Sequence, residues 1–187
     1  MPTVTYQVGQ SSDDAVSSAS GSFLNVNATF FSSSGGTYVT GFRFTGVAVP
    51  QGATVDSAYL KVTGTNDADS ATLYLKGEAA DNPVTFAAGV RPDQRTKTSA
   101  VSAQWSIPGS STGVLTSPDV ASVVQEIVNR PGWSSGNALV LLSDTVSSGG
   151  CSVVDYNTTP ASAAQLEITY TAGGGSPART ADFLAFF

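Results

Sequence analysis

The sequence predicts an all-β domain, a two-sheet antiparallel sandwich of jelly-roll-like form with one short helix at about 118–129. Three observations predict it. Short stretches in which every second residue is apolar recur along the chain, each bounded by Gly, Pro, Ser or Asn. One stretch alone leaves that period and takes helical spacing. The length, 187 residues, is enough for one core without metal or disulfide staples and cramped for two.

Taken in order, roughly nine segments read as strands: 3–8, 23–31, 37–46, 54–64, 71–78, 101–106, 137–143, 151–156 and 164–171. In the third, Phe42 and Phe44 face one way and Arg43 the other, giving one buried and one wet face. Ala58, Leu60 and Val62 of the fourth and Leu73 and Leu75 of the fifth point inward, which leaves Tyr59, Lys61, Tyr74 and Lys76 outside. The polar stretch Gly64 to Ser70 reads as the turn of a hairpin joining those two strands. Val120, Val123, Val124, Ile127 and Val128 mark the apolar face of the helix. Its expected start has Ser117 as N-cap, Pro118 at the first helical position and Asp119 in the first turn; Pro131-Gly132 ends it.

After Tyr170 the composition changes, so the sandwich is assigned to 1–172 and a hinge and tail to 173–187. Gly173-Gly174-Gly175-Ser176-Pro177 forms the hinge, and Phe183, Leu184, Phe186 and Phe187 make a terminal apolar cluster. Such a cluster needs a docking site, either on a partner or back on its own domain.

Composition narrows the function. Lys+Arg 8 against Asp+Glu 14 gives a net charge of -6, the opposite of what a phosphate backbone attracts, so no nucleic-acid partner is expected. No apolar run approaches a membrane span, and the first residues lack both a basic start and an apolar stretch, so synthesis without a cleaved leader is expected. Cys151 is the only cysteine, which excludes an internal disulfide and fits a reducing compartment.

With no histidine, Ser-His and Cys-His nucleophile pairs are impossible and any catalysis falls to carboxylates. Asp13-Asp14, Asp67 with Asp69, Glu78 with Asp81, and Asp155 are available, but no spacing selects a glycosidase pair. Dispersed acids on a sandwich read first as solvated turns, and the chain is expected not to be an enzyme. Asn66, Asp67 and Asp69 gather oxygen ligands in one loop and are the candidate calcium site, against the simpler reading as Asx-type turn residues. It is not an EF-hand: counting from Asp67, Thr72 stands where that loop requires glycine. No other cofactor is expected. Tyr59 and Tyr74, as outward rings on neighbouring strands, are the candidate sugar-stacking pair. Trp105 and Trp133 read as rim packing. Arg91, Arg95 and Lys97 form one small basic cluster, a candidate for pairing with acids of an assembly partner. The acceptor-type sequences at Asn27 and Asn157 are common by chance and carry no role.

The run Gly41-Phe42-Arg43-Phe44, the stretch from Val49 to Leu60, the helix from Asp119 to Val128 and the strand Asn137-Ala138-Leu139-Val140-Leu141-Leu142 resemble the DNRLRE-type sandwich family, related to carbohydrate-binding modules of bacterial surface proteins. The resemblance covers most of 1–172 and implies a sandwich fold. The compact module with its short aromatic tail also resembles small virion proteins of tailed phages, the capsid decoration and fibre proteins. That resemblance implies a non-enzymatic structural protein, assembled in the host cytoplasm and located in the virion, as a homo-oligomer on the major capsid protein or another virion protein. The cluster Phe183, Leu184, Phe186 and Phe187 is then the partner-binding element. The alternative is a carbohydrate-binding module of a bacterial surface or secreted protein, with a glycan as partner.

Overall fold

The computed structural model describes residues 1–18, 24–32, 38–147 and 149–173, and in them the alternating segments become strands of two antiparallel sheets packed face to face. The strands are β1 (Thr3–Gln7), β2 (Asp14–Ser18), β3 (Leu24–Asn25), β4 (Thr29–Ser32), β5 (Tyr38–Phe44), β6 (Thr54–Thr65), β7 (Ala71–Gly77), β8 (Trp105–Ile107), β9 (Thr112–Thr116), β10 (Leu139–Ser147), β11 (Gly150–Val153) and β12 (Gln165–Thr171). The one α-helix among the described residues is α1 (Ala121–Val128). The first sheet has the order β1-β12-β6-β11-β4, with β9 also paired to β6. The second runs β3-β2-β5-β10-β7-β8. The chain is thus an all-β two-sheet sandwich with one helix.

The core is the inward half of each alternation. Ala58, Leu60 and Val62 of β6, Leu73 and Leu75 of β7, and Phe42 and Phe44 of β5 are buried and meet Leu166 and Ile168 of β12 and Leu139 and Leu141 of β10. Phe31, Phe42 and Trp105 pack edge to face, at 6.2 Å for Phe31 with Phe42 and 5.9 Å for Phe31 with Trp105. The helix closes one end with Val123, Val124, Ile127 and Val128 inward. It sits so close to β7 that a Cβ on Gly77 would stand 2.5 Å from the Ile127 Cδ1, so glycine there is a packing requirement.

Three sequence expectations are corrected. Gly64 to Ser70 is not a hairpin turn: β6 lies in the first sheet and β7 in the second, so this stretch arches across the core from sheet to sheet. The helix starts at Ala121, and Ser117 is not its N-cap. Ser117 Oγ accepts from the Leu60 amide (3.0 Å), and Asp119 Oδ1 accepts from both Ala121 N (2.8 Å) and Ala58 N (3.0 Å). Together with Gln125 Oε1, which takes the Val55 amide at 2.7 Å, these side chains cover the β6 edge beside the helix. The segment expected at 23–31 is two strands, β3 and β4, which belong to different sheets.

Candidate functional site

The chain between β7 and β8 is long and lies over the outer face of the second sheet. It is held there by a small second core of Ala15, Val39, Phe86, Val140 and Leu142 and by ion pairs. Glu78 and Arg95 are almost fully buried and joined through both carboxylate oxygens at 2.9 and 3.1 Å. Burial pushes the Glu78 carboxyl up, and the Arg95 guanidinium pulls it back. Arg95 also donates to the carbonyls of Val84, Thr85 and Val90 and lies 5.1 Å over the Phe86 ring. Arg43 spans from Asp13 to the Pro83 carbonyl, Lys97 reaches Asp144 and the Ser143 carbonyl, and Arg130 holds Asp81.

All seven lysines and arginines among the described residues therefore stand in ion pairs, the others being Lys61–Glu167, Lys76–Asp144 and Arg91–Asp93. Arg91, Arg95 and Lys97, the expected patch for a partner's acids, are each engaged by a carboxylate of their own chain. Glu78 and Asp81 are likewise engaged by different arginines, Arg95 and Arg130.

Asp13 and Asp14, read from the sequence among acids of solvated turns, are buried. Asp14 opens β2 opposite Phe42, so its side chain enters the space between the sheets. Its Oδ2 accepts from Tyr156 N at 2.7 Å, while its buried Oδ1 has no partner. Burial, with added repulsion from Asp155 and Asp13, raises its pKa to about 7. Asp155 is buried too, with its two oxygens on the amide and hydroxyl of Thr158. Of the three, Asp14 ties β2 of the second sheet to the segment after β11 of the first, whereas Asp13 is held by Arg43 and Asp155 by Thr158.

The candidate calcium loop is a turn built from the same residues. Asn66 adopts φ 65°, and Asp67 Oδ1 accepts from Asp69 N, the Asx-turn bond. Asp67 Oδ2 is engaged by the Ser152 hydroxyl at 2.8 Å and amide at 3.2 Å, which holds the Asp67 carboxyl below the usual range. Asp69 points to solvent. Among the described residues no three Asp, Glu, Cys or His side chains converge on a common point. Cys151 is buried, and burial pushes its thiol up, away from the reactive thiolate.

Tyr59 and Tyr74 both face outward, as alternation predicts, but on opposite sides of the sandwich. Tyr59 shares the outer face of the first sheet with Glu167 and Thr5, whereas Tyr74 stands opposite Asp144 in the second sheet. The expected two-ring platform is therefore not formed, because the arch at 64–70 carries the chain between sheets. Trp105 and Trp133 are buried, with Trp133 Nε1 donating to the Val49 carbonyl.

The described acids Asp56, Asp69 and Asp119 are exposed, but the outer face of the first sheet is mostly uncharged. The outer face of the first sheet presents Thr3, Thr5, Gln7, Gln165, Tyr59, Thr63, Thr116 and the paired Lys61 and Glu167. A shallow depression of about 130 Å³ on it is lined by Lys61, Thr63, Val114, Ala161, Ala163 and Gln165, with no unpaired acid among them. The sequence reading missed β9, whose Val114 is 67% exposed. Its signal was present in Thr112-Gly113-Val114-Leu115-Thr116, an alternating stretch too short and too polar to stand out from the Ser/Thr-rich turns around it. Phe183, Leu184, Phe186 and Phe187 lie outside the described residues. No protein-family model matches the sequence, and no curated protein matches it.

Proposed function

We propose that the chain is a non-enzymatic structural protein of a tailed-phage virion, a capsid decoration or fibre component that acts by assembly through its sandwich surface and its apolar C-terminal tail. The observation that carries this reading is the disposition of charge. All seven described cations, and Asp13, Glu78, Asp81 and Asp155 among the acids, are engaged within the fold, so what the outer face of the first sheet and the β9 edge offer a partner is mainly uncharged side chains and backbone. Such a surface suits docking against another protein. The tail adds an apolar anchor on a Gly-rich tether.

The test is co-sedimentation of the purified protein with empty shells of the major capsid protein encoded in the same genome. The full chain is expected to bind saturably, and a chain ending at Gly173 to bind at least about tenfold more weakly, the loss of one apolar anchor. A full chain that never sediments with shells counts against the virion reading. The second reading, a carbohydrate-binding module, is favoured by one observation, the half-buried ring of Tyr59 among Thr and Gln side chains on an open sheet face. Binding on a glycan array that Tyr59→Ala removes, in place of shell binding, would transfer the assignment to that reading.

A further inference from the structure

We infer that β9 is a self-association edge, pairing antiparallel with β9 of a second copy about a two-fold axis through Val114. The inference rests on the assembly reading and specifies one partner within it. Among the described residues β9 pairs only with β6, so the backbone groups on its other side form an open row that an extended strand satisfies.

The second copy is selected by the sequence of the strand. Thr112 to Thr116 contains no charge, in a chain of net charge -6, so two identical strands meet without like charges face to face. The register with β6 places Leu115 opposite buried Val62 and Val114 opposite outward Thr63, so Thr112, Val114 and Thr116 share the outer face. Under the two-fold axis Val114 meets Val114 of the second copy, and Thr112 meets its Thr116. On the inner face Leu115 falls opposite Gly113, which has no side chain to obstruct it. Val–Val and Thr–Thr are favourable cross-strand pairs, and an interface in which each patch binds its own copy is the commonest form of homodimer.

The other edges are less fitted. The β6 edge beside the helix is covered by Ser117, Asp119 and Gln125, β3 and β8 have two and three residues, β4 has four with none exposed, and β1 exposes only Thr3, Thr5 and Gln7. β9 alone centres an exposed apolar side chain on an uncharged strand of five residues. Pairing would bury Val114 and join two sheets across the axis.

The test is sedimentation of the full chain over a wide concentration range in physiological salt, beside Val114→Lys, Val114→Glu and an equimolar mixture of the two. Wild type is expected to dimerise with concentration. Each variant alone should dimerise about tenfold or more weakly, because the axis sets like charges against each other. The mixture should recover association, since Lys then faces Glu. Val114 is exposed, so circular dichroism should show both variants folded. A wild type that stays monomeric, variants that associate like wild type, or a mixture no better than either variant alone would each overturn the inference. If the variants associate normally while a chain ending at Gly173 does not, the edge pairing fails and the tail-driven assembly stands. The reverse pattern keeps the edge pairing and removes the tail's role.

Discussion

Arg95→Ala is expected to destabilise the fold by about 3–5 kcal/mol, the usual cost of stripping one partner from a buried ion pair. Glu78 would be left buried without its counter-ion. The carbonyls of Val84, Thr85 and Val90 would lose their donor, and Phe86 the guanidinium over its ring. Phe86 in turn fills the space that a side chain on Gly41 would need, so the damage reaches the sheet beneath. For a domain of this size the melting temperature should fall by roughly 6–20 °C, since 1 kcal/mol corresponds to about 2–4 °C. Hydrogen exchange should localise the loss to 79–97 before global unfolding. An Arg95→Ala protein melting within a degree or two of wild type would mean that the segment is held by its apolar contacts alone.

The second large effect is a pH dependence centred on Asp14. Its carboxyl is raised to about 7 in the folded protein against 3.8 as a model group, so between those values the native state binds more protons than the unfolded state. Stability contributed by this group therefore falls as pH rises through that window and is regained as pH drops toward 4. At about 1.4 kcal/mol per unit the full swing is on the order of 2–4 kcal/mol. Asp93 and Asp67 are shifted the opposite way and partly offset it in the whole protein. The comparison that isolates Asp14 is the stability of Asp14→Asn minus wild type, measured by urea unfolding from pH 4.5 to 8. Whatever constant offset the amide brings, the difference should climb with pH in favour of the variant. A flat difference would show that Asp14 ionises in the folded state near its ordinary pH.

Much of this fold was legible in the sequence, and the parts that were not have a common cause. β6 and β7 read correctly because each buries one face, and the helix because Val120 to Val128 keep helical spacing. The strand β2 was missed because the segment after β7 covers its outer side: Asp93 N donates to Ser17 Oγ, and every residue from Asp14 to Ser18 is buried. A strand buried on both faces shows no alternation, and one rich in Asp and Ser reads as a loop. The arch at 64–70 was read as a hairpin since the composition of a turn does not say whether the chain stays in its sheet. The helix start was misplaced by three residues because Ser117 serves the β6 edge and Asp119 serves both that edge and the helix.

The candidate site was less legible for the same reason. Of the basic cluster, Arg95 pairs with Glu78 and Lys97 with Asp144, acids that the fold brings from other segments, whereas the partner of Arg91, Asp93, stands two residues on and was readable beside it. The turn role of Asp67 was readable from its spacing to Asp69, but its bonds to Ser152 were not. The edge strand β9 carries its information in what it lacks, charge and a second neighbour, and only the second of these requires the structure.

The claim that the chain works by assembly is tested most directly by light scattering on the full chain beside a chain ending at Gly173, over matched concentrations. The account predicts a discrete oligomer for the full chain and a smaller mass per particle once 174–187 are removed. Monomers of both chains at every concentration would contradict it.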